Sequence, residues 1–331
     1  MKQGLKIAAG VLIVLSLLVL IVPFLIPIPP LDNTASRRSL ADQDSRFLEV
    51  EGLEVHYLEA GEGQPALLLL HGFGASTYSW RNVIDPLAES GRVVAYDRPA
   101  FGLTERPLAW EGRSPYSLEA QVDLVFDLMD ALDLDRAVLV GNSAGGTVAL
   151  EAALAQPGRV SGLVLVDAAV YTGGGTPSWI KPLLHMPQID RLGPLLARRI
   201  AREGDEFIRN AWHDPSKIGP EVFAAYRKPL QVPDWDRALW ELTKASRSTD
   251  LESRLDRVQV PTLVITGDDD QIVPTEESLQ LAAEIPGAFL AVMDGCGHLP
   301  QEECPEQFLG AVRTFLEWKN PADPESGDPG Q

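Results

Sequence analysis

Short apolar runs alternate with helix-like patterns along most of this chain, and this alternation constrains its fold more than any other feature. The runs are rich in Val, Leu and Ile on both faces, as expected for strands that are covered on both sides. Six of them occupy residues 66–70, 92–96, 137–140, 163–166, 262–266 and 289–293. Two earlier runs, 47–50 and 53–57, are predicted to form a hairpin through Glu51-Gly52.

Helical patterns fill the intervals between these runs. They cover residues 78–89, 118–132, 144–156, 276–285 and 305–318. Strands interleaved with helices are typical of a mostly parallel, doubly wound sheet. We therefore predict an α/β fold with an eight-stranded sheet, in which ligands bind at the carboxyl ends of the strands.

One interval, residues 171–259, contains no convincing buried strand. It opens on the glycine run 173–175 and continues with helical stretches at 195–202 and 220–226. We predict a helical cap, inserted after the sixth strand and lying over the site. Four tryptophans of this interval are candidates for a substrate pocket, and the alternative is that they pack cap against core. They are Trp179, Trp212, Trp235 and Trp240.

The two ends of the chain differ from the rest. Residues 7–28 carry no charge and are long enough to cross a bilayer of about 30 Å. This predicts a single-pass membrane anchor over residues 1–30, a tether over 31–46 and a catalytic domain outside the cytoplasm; a cleaved signal peptide is the alternative. Residues 320–331, rich in Pro, Gly and acid, are predicted to form a loose tail.

Charge and cysteine content narrow the partners. The formal net charge of -19 argues against nucleic acid as a partner and favours a small uncharged or cationic substrate. The oligomeric state is not readable from the sequence. The two cysteines, Cys296 and Cys304, bracket a histidine; unpaired thiols, a small-loop disulfide and a metal site are all compatible with their spacing, in decreasing order of preference.

A candidate nucleophile stands where the run 137–140 ends. The sequence Gly141-Asn142-Ser143-Ala144-Gly145 matches a Gly-x-Ser-x-Gly turn between a strand and a helix, which lifts the serine Oγ clear of its neighbours. A serine needs a neighbouring base, and the base needs an orienting carboxylate. The pentapeptide alone is weak evidence, so the base and the acid have to be found elsewhere in the chain.

Both partners follow later strands. His298 comes directly after the last run, in a glycine-flanked loop, and a carboxylate follows the run before it at Asp268, Asp269 or Asp270. Ser143, the carboxylate and His298 would thus open on the same edge of the sheet. A metal or a cofactor is not required by this set of side chains.

These motifs resemble the α/β-hydrolase family, and the resemblance covers Phe47 to Trp318, with the hydrolase core predicted over residues 47–170 and 260–319. The resemblance implies the α/β-hydrolase fold, with Asp270 as the acid through the pattern Gly-x-x-Asp-x-x-x-Pro and Asp167 as the alternative acid. It implies His298 as the base through Gly-His-x-x-x-x-Glu-x-Pro, in which Glu303 anchors the loop or caps the following helix.

The resemblance also implies an oxyanion hole and a reaction. Its donors are the backbone N–H groups of Phe73, in His71-Gly72-Phe73-Gly74, and Ala144. The expected activity is hydrolysis of a small-molecule carboxylic ester through an acyl-enzyme. Ser143 argues against epoxide and haloalkane hydrolysis, which use an aspartate. Carbon–carbon bond hydrolysis and perhydrolase or haloperoxidase activity are alternatives on the same triad, and a non-enzymatic binding module is the alternative from another class.

Overall fold

A computed structural model describes residues 2–171, 176, 177 and 179–319 of this chain. The predicted tail at 320–331 and the glycine run at 173–175 lie outside the described residues. Eight strands of the described chain form one sheet: β1 (Arg46–Val50), β2 (Leu53–Ala60), β3 (Ala66–Leu70), β4 (Arg92–Tyr96), β5 (Ala137–Asn142), β6 (Val160–Val166), β7 (Thr262–Gly267) and β8 (Phe289–Met293).

The strand order is β1-β2-β4-β3-β5-β6-β7-β8. The pairs β1/β2 and β2/β4 are antiparallel, and every later pair is parallel. The carboxyl ends of β5, β6, β7 and β8 therefore meet at one edge of the sheet. The predicted mostly parallel, eight-stranded sheet is confirmed.

The helices of the described chain follow in sequence order: α1 (Lys2–Leu25), α2 (Arg37–Leu40), α3 (Ile84–Ala88), α4 (Leu118–Ala131), α5 (Ala144–Ala155), α6 (Lys181–Leu184), α7 (Pro187–Arg202), α8 (Gly204–Asn210), α9 (Pro220–Arg227), α10 (Trp235–Ala245), α11 (Thr275–Glu284), α12 (Pro300–Glu303) and α13 (Pro305–Lys319).

Two apolar layers enclose the sheet because successive side chains of a strand point to opposite faces. In β3, Leu68 and Leu70 pack in one cluster with residues of α4, α5 and α11. Leu67 and Leu69 pack in the other, with residues of α3 and α13. All four leucines are fully buried. This double burial fixes the sheet whose edge carries the site.

Helices α6 to α10 lie between β6 and β7, in the interval predicted to form a cap. The pair α7 and α10 packs closely because Gly193 lets the two helices approach: a Cβ there would lie 2.2 Å from the ring of Trp240. Asp190 of α7 accepts hydrogen bonds from Trp240 Nε1 at 3.0 Å and Lys244 Nζ at 2.6 Å. Burial would raise the pKa of Asp190, but the bonds from Lys244, Arg237 and Trp240 lower it.

The membrane-anchor prediction is wrong. Within the residues described above, the structure contains no helix with both the length and the apolar character that a bilayer crossing requires. The apolar span 7–28 extends beyond its helix, which ends at Leu25, and two carbonyls near that end are bonded to α7: Arg191 donates to Pro23 O and Ile26 O at 3.1 Å each. The predicted location of the catalytic domain outside the cytoplasm depended on this anchor and is not retained.

Candidate active site

Ser143 lies in a sharp turn between β5 and α5. Its backbone adopts φ 52° and ψ -120°, a conformation that is costly for a residue with a side chain and is held by the N–H bond to Val166 O at 2.9 Å. The turn is tight enough to require glycine nearby, since a Cβ on Gly145 would lie 2.1 Å from Leu70 O. The local sequence therefore holds a serine at the carboxyl edge of the sheet.

His298 and Asp270 form a buried hydrogen-bonded pair at the same edge. His298 Nδ1 donates to Asp270 Oδ2 at 2.7 Å, and both side chains are almost inaccessible to solvent. Asp270 Oδ1 accepts the N–H groups of Ile272 at 2.7 Å and Val273 at 3.0 Å. Three donors thus fix the carboxylate, and the Nδ1 bond leaves Nε2 of the imidazole available for another partner.

The loop that carries His298 is held on both sides. A disulfide joins Cys296 and Cys304, whose Cα atoms are 6.2 Å apart. Glu303 accepts hydrogen bonds from the N–H groups of Gly297 at 2.8 Å and His213 at 2.9 Å. Of the three arrangements that the cysteine spacing left open, the structure contains the disulfide, and Glu303 contacts the loop as an anchor would.

Ser143 and His298 line one small cavity of about 20 Å³. Gly72 forms part of its wall and approaches the serine so closely that a Cβ there would lie 3.2 Å from Ser143 Cβ. Phe73 follows Gly72 in this wall. Ala144 begins α5 and lines a neighbouring cavity of about 730 Å³, which Phe73 also lines. The predicted oxyanion donors therefore come from the two segments that meet at Ser143.

A larger cavity of about 480 Å³ adjoins the small one. Phe73, Ala75, Phe207, Ile208 and Tyr226 line both. Farther in, the wall of the larger cavity includes apolar side chains of the core loops and of the cap, among them Phe101, Leu230, Trp235 and Leu239. A mainly apolar space of this volume is of the size that encloses a small organic ligand.

The four candidate tryptophans have different positions. Trp235 lines the 480 Å³ cavity. Trp212 is buried in a cluster with Ile208 and Leu299, and Trp240 packs between α7 and α10. Trp179 is 74% exposed. Of the four tryptophans, Trp235 is the one that lines any of these cavities in the described part of the chain. We therefore retain Trp235 as a proposed substrate-pocket residue.

The other carboxylates near the site differ from Asp270 in their hydrogen-bond partners. Asp268 Oδ1 accepts Cys296 N–H at 3.2 Å, and Asp269 Oδ2 accepts His213 Nδ1 at 2.8 Å on the surface. Asp167 is fully buried, and oxygen or nitrogen atoms of Asp167, Asp270 and His298 all lie within 4.8 Å of one another. Two carboxylates and an imidazole are also a donor set for a cation. Here the His298 nitrogen faces Asp270 at hydrogen-bond distance.

His71 supports the loop before Phe73. Its Nδ1–H donates to Gly72 O at 2.7 Å, and its Nε2 accepts Arg98 N–H at 3.0 Å. Burial, aided by the positive charge of Arg98, lowers the pKa of His71 to about 4. His71 is therefore neutral at pH 7, and both ring nitrogens are occupied by the backbone. This arrangement fits a structural role for His71.

Two contributors to the site were missed at the sequence level. Asn142 Nδ2 donates to Val166 O at 3.2 Å and His298 O at 3.1 Å, which ties the serine turn to the histidine loop. A polar residue at the end of an apolar strand is a signal that would have identified it. Tyr226 of α9 lines both cavities, and its hydroxyl donates a hydrogen bond to buried Glu302. The two residues are 76 positions apart, so no local sequence pattern indicates this contact.

Known proteins are similar to this chain over most of its length. A sequence profile of the alpha/beta hydrolase family matches residues 67–311. The chain belongs to this family. The hydrolase YugF of Bacillus subtilis (strain 168), which is uncharacterized, is 31% identical over 274 residues, covering 82% of this chain and 97% of the relative. A 2-hydroxy-6-oxo-6-phenylhexa-2,4-dienoate hydrolase of Comamonas testosteroni is 33% identical over 298 residues, covering 86% and 96%.

A solved structure extends the similarity over nearly the whole chain. It is a membrane phospholipase A, described as a bacterial virulence factor, with 26% identity and a TM-score of 0.66, covering 97% of this chain and 100% of that one. The chain is therefore a hydrolase of the alpha/beta family. The relatives named above include a dienoate hydrolase and a phospholipase A. Its own bond specificity has to be argued from the site.

Proposed function

We propose that this α/β-hydrolase cleaves carboxylic esters through a covalent acyl-enzyme, with Ser143 as nucleophile, His298 as base and Asp270 as the orienting acid. The observation that carries the proposal is the cavity shared by Ser143 and His298, in which His298 is already bonded to Asp270 through Nδ1. The imidazole then presents Nε2 for the serine proton. This is the arrangement in which a serine becomes nucleophilic at neutral pH.

The steps follow from these positions. His298 Nε2 takes the proton of Ser143 Oγ as the oxygen adds to the ester carbonyl, and the backbone N–H groups of Phe73 and Ala144 stabilise the oxyanion. The ester bond breaks, and the alcohol leaves with the proton from His298. Water then adds to the acyl-enzyme with His298 again as base, and the carboxylic acid is released from Ser143.

The 480 Å³ cavity is the proposed subsite for the acyl chain. It shares five wall residues with the small cavity at Ser143, and its wall is mainly apolar. Apolar surface removed from water contributes about 25 cal/mol per Å², so each added methylene that enters the cavity increases binding. A relative of 26% identity described as a phospholipase A supports an acyl ester as the substrate class.

Phe207→Ala is expected to lower the preference for longer acyl chains. Phe207 lines both cavities and is 42% exposed, so its removal shortens the apolar wall without opening the core. Losing about 40–80 Å² of apolar contact reduces the ratio of kcat/KM for an octanoate over an acetate by about 5- to 30-fold. The measurement is a series of p-nitrophenyl esters of increasing chain length.

Phe289→Ala is the matched control for this variant. Phe289 is 40% exposed, like Phe207, but it lies on β8 against Trp318, away from both cavities. We expect its chain-length profile to follow that of the unmodified enzyme. An unchanged octanoate-to-acetate ratio in Phe207→Ala would place the acyl chain elsewhere.

Carbon–carbon bond hydrolysis is the second candidate. The relative from Comamonas testosteroni is a dienoate hydrolase by name, so its substrate carries a carboxylate. Arg106 in the wall of the 480 Å³ cavity offers a cation for such a group: it is buried, and its Nε and Nη1 have no hydrogen-bond partner among the described residues. Burial lowers the pKa of Arg106 to about 10, which leaves it charged at pH 7.

A direct comparison of kcat/KM separates the two candidates. The substrates are p-nitrophenyl butyrate, p-nitrophenyl octanoate and 2-hydroxy-6-oxo-6-phenylhexa-2,4-dienoate, each tested with the full chain and with Arg106→Gln. Ester hydrolysis as the main activity predicts a higher kcat/KM for the octanoate than for the dienoate. A dienoate that is hydrolysed faster, with a KM that rises at least tenfold in Arg106→Gln, would instead establish the carbon–carbon hydrolase.

A further inference from the structure

Asp167 is a buried carboxyl group that the proposed mechanism does not use. It follows the last residue of β6, is fully inaccessible to solvent, and has a backbone φ of 45°. Its N–H donates to Ile265 O at 2.9 Å, which extends the pairing of β6 and β7 by one residue. This register brings a carboxyl oxygen of Asp167 within 4.8 Å of a carboxylate oxygen of Asp270 and of a ring nitrogen of His298.

The two neighbouring carboxyl groups have unequal sets of donors. Asp270 accepts three N–H groups, from His298, Ile272 and Val273, at 2.7 to 3.0 Å. Asp167 Oδ1 accepts the Gly267 N–H at 3.3 Å, and Asp167 Oδ2 has no partner among the described residues. Because hydrogen bonds to a carboxylate favour its charged form, the negative charge belongs on Asp270.

A proton on Asp167 accounts both for the two adjacent buried carboxyl groups and for the unpartnered oxygen of Asp167. It prevents two like charges from sharing a buried site, and it converts the unpartnered oxygen into an O–H donor. Burial and the charge of Asp270 raise the pKa of Asp167 well above the ordinary value of 3.8. The titratable groups that face Asp167 are Asp270, from the loop after β7, and His298, from the loop after β8. Strand β7 adds hydrogen bonds from the side chain of Thr266 and the N–H of Gly267, which oppose the rise in the pKa of Asp167.

We propose that Asp167 is a protonated positioning residue, which donates its carboxylic O–H to the Asp270 carboxylate and so holds that carboxylate against His298. The inference rests on the proposed function of Asp270 and His298. The bond adds a fourth donor to Asp270 without adding negative charge. Asp167 lies beside Asp270 and His298, so its effect on the reaction is exerted through Asp270.

The test compares Asp167→Asn with Asp167→Ala in the full chain, using p-nitrophenyl butyrate. An asparagine amide can still donate to Asp270 and cannot ionise, so Asp167→Asn keeps kcat within about threefold. Alanine removes a hydrogen bond to a charged group, which lowers kcat by about 10- to 100-fold with KM nearly unchanged. Titration with a fluorophosphonate probe counts the competent sites and corrects each rate for misfolded protein.

The alkaline limb of the kcat–pH profile is the second readout. As pH rises through the raised pKa of Asp167, the group ionises, stops donating and repels Asp270, so kcat of the unmodified enzyme falls. Asp167→Asn lacks this ionisation, and its kcat stays level to higher pH. The same shift makes wild-type stability decline relative to Asp167→Asn as pH rises above 3.8, because the folded state retains a proton that the unfolded chain releases.

Any of four results would overturn the inference. The first three are equal losses in Asp167→Asn and Asp167→Ala, an unchanged alkaline limb in Asp167→Asn, and activity that is lost in EDTA and restored by Zn²⁺, which would make the carboxyl pair a metal site. If Asp270→Asn keeps its rate while Asp167→Asn is inactive, Asp167 is the catalytic acid instead. Failure of the proposed function is distinct: Ser143→Ala would then retain full activity.

Discussion

Replacing His298 with alanine is expected to lower kcat for p-nitrophenyl butyrate by about 10⁴- to 10⁶-fold, the range seen when a triad base is removed. The imidazole is the group in the small cavity that can take the Ser143 proton, and it is oriented by Asp270 at 2.7 Å. KM should change little, because His298 contributes to the transition state more than to substrate binding. Steady-state kinetics on protein of verified thermal stability measures the loss.

His213→Ala is the matched control for this variant. His213 also bonds an aspartate through Nδ1, at 2.8 Å to Asp269, and it contacts the loop of His298, but its side chain is 44% exposed. We expect kcat within about threefold of the unmodified enzyme, since a surface substitution away from the reacting groups has small effects. Equal losses in the two variants would show that the loop, and not the imidazole of His298, limits the rate.

Replacing Ser143 with alanine is expected to abolish turnover to the same extent and to abolish labelling by a fluorophosphonate. The oxygen is the attacking atom, so its loss leaves binding and the oxyanion donors with a small residual rate over water. Alanine retains the turn because its Cβ already fits there. Rate measurements and in-gel fluorescence with the probe report the two effects independently.

Ser253→Ala is the control for the serine substitution. Ser253 is an exposed serine whose hydroxyl donates to Asp250 O at 2.8 Å, and it does not line the cavities described at the site. Its rate and its labelling should equal those of the unmodified enzyme. Persistent labelling of Ser143→Ala would show that the probe reacts with another nucleophile.

The strands and the site edge could be predicted because their signals are local. Runs such as 66–70 and 92–96 coincide with the observed strands, since side chains buried on both faces must all be apolar. Ser143, Asp270 and His298, the proposed triad, could be selected as candidates because each follows a strand end. The predicted helix over 78–89 is instead a single 3₁₀ turn at Thr77–Trp80 followed by α3, because the Ser76 hydroxyl bonds Tyr78 N–H and sets a tighter turn.

Other features depend on contacts between distant segments. The proposed role of Asp167 depends on the register of β6 on β7, and Trp240 of α10 packs on Gly193 of α7. A short stretch of sequence shows neither contact. The membrane-anchor prediction is wrong because no helix among the described residues combines the length and the apolar character of a bilayer crossing. Hydropathy over residues 7–28 carries no information about Arg191, whose guanidinium bonds the carbonyls at the end of this span.

The central claim is that turnover passes through an acyl group on Ser143, and rapid-quench mass spectrometry of the full chain with p-nitrophenyl butyrate tests it most directly. We predict a transient adduct with the mass of one butyryl group, located by peptide mapping on Ser143, together with a burst of p-nitrophenol of equal size. His298→Ala should form this adduct far more slowly. Steady turnover with no adduct on Ser143, and unchanged turnover in Ser143→Ala, would contradict the account.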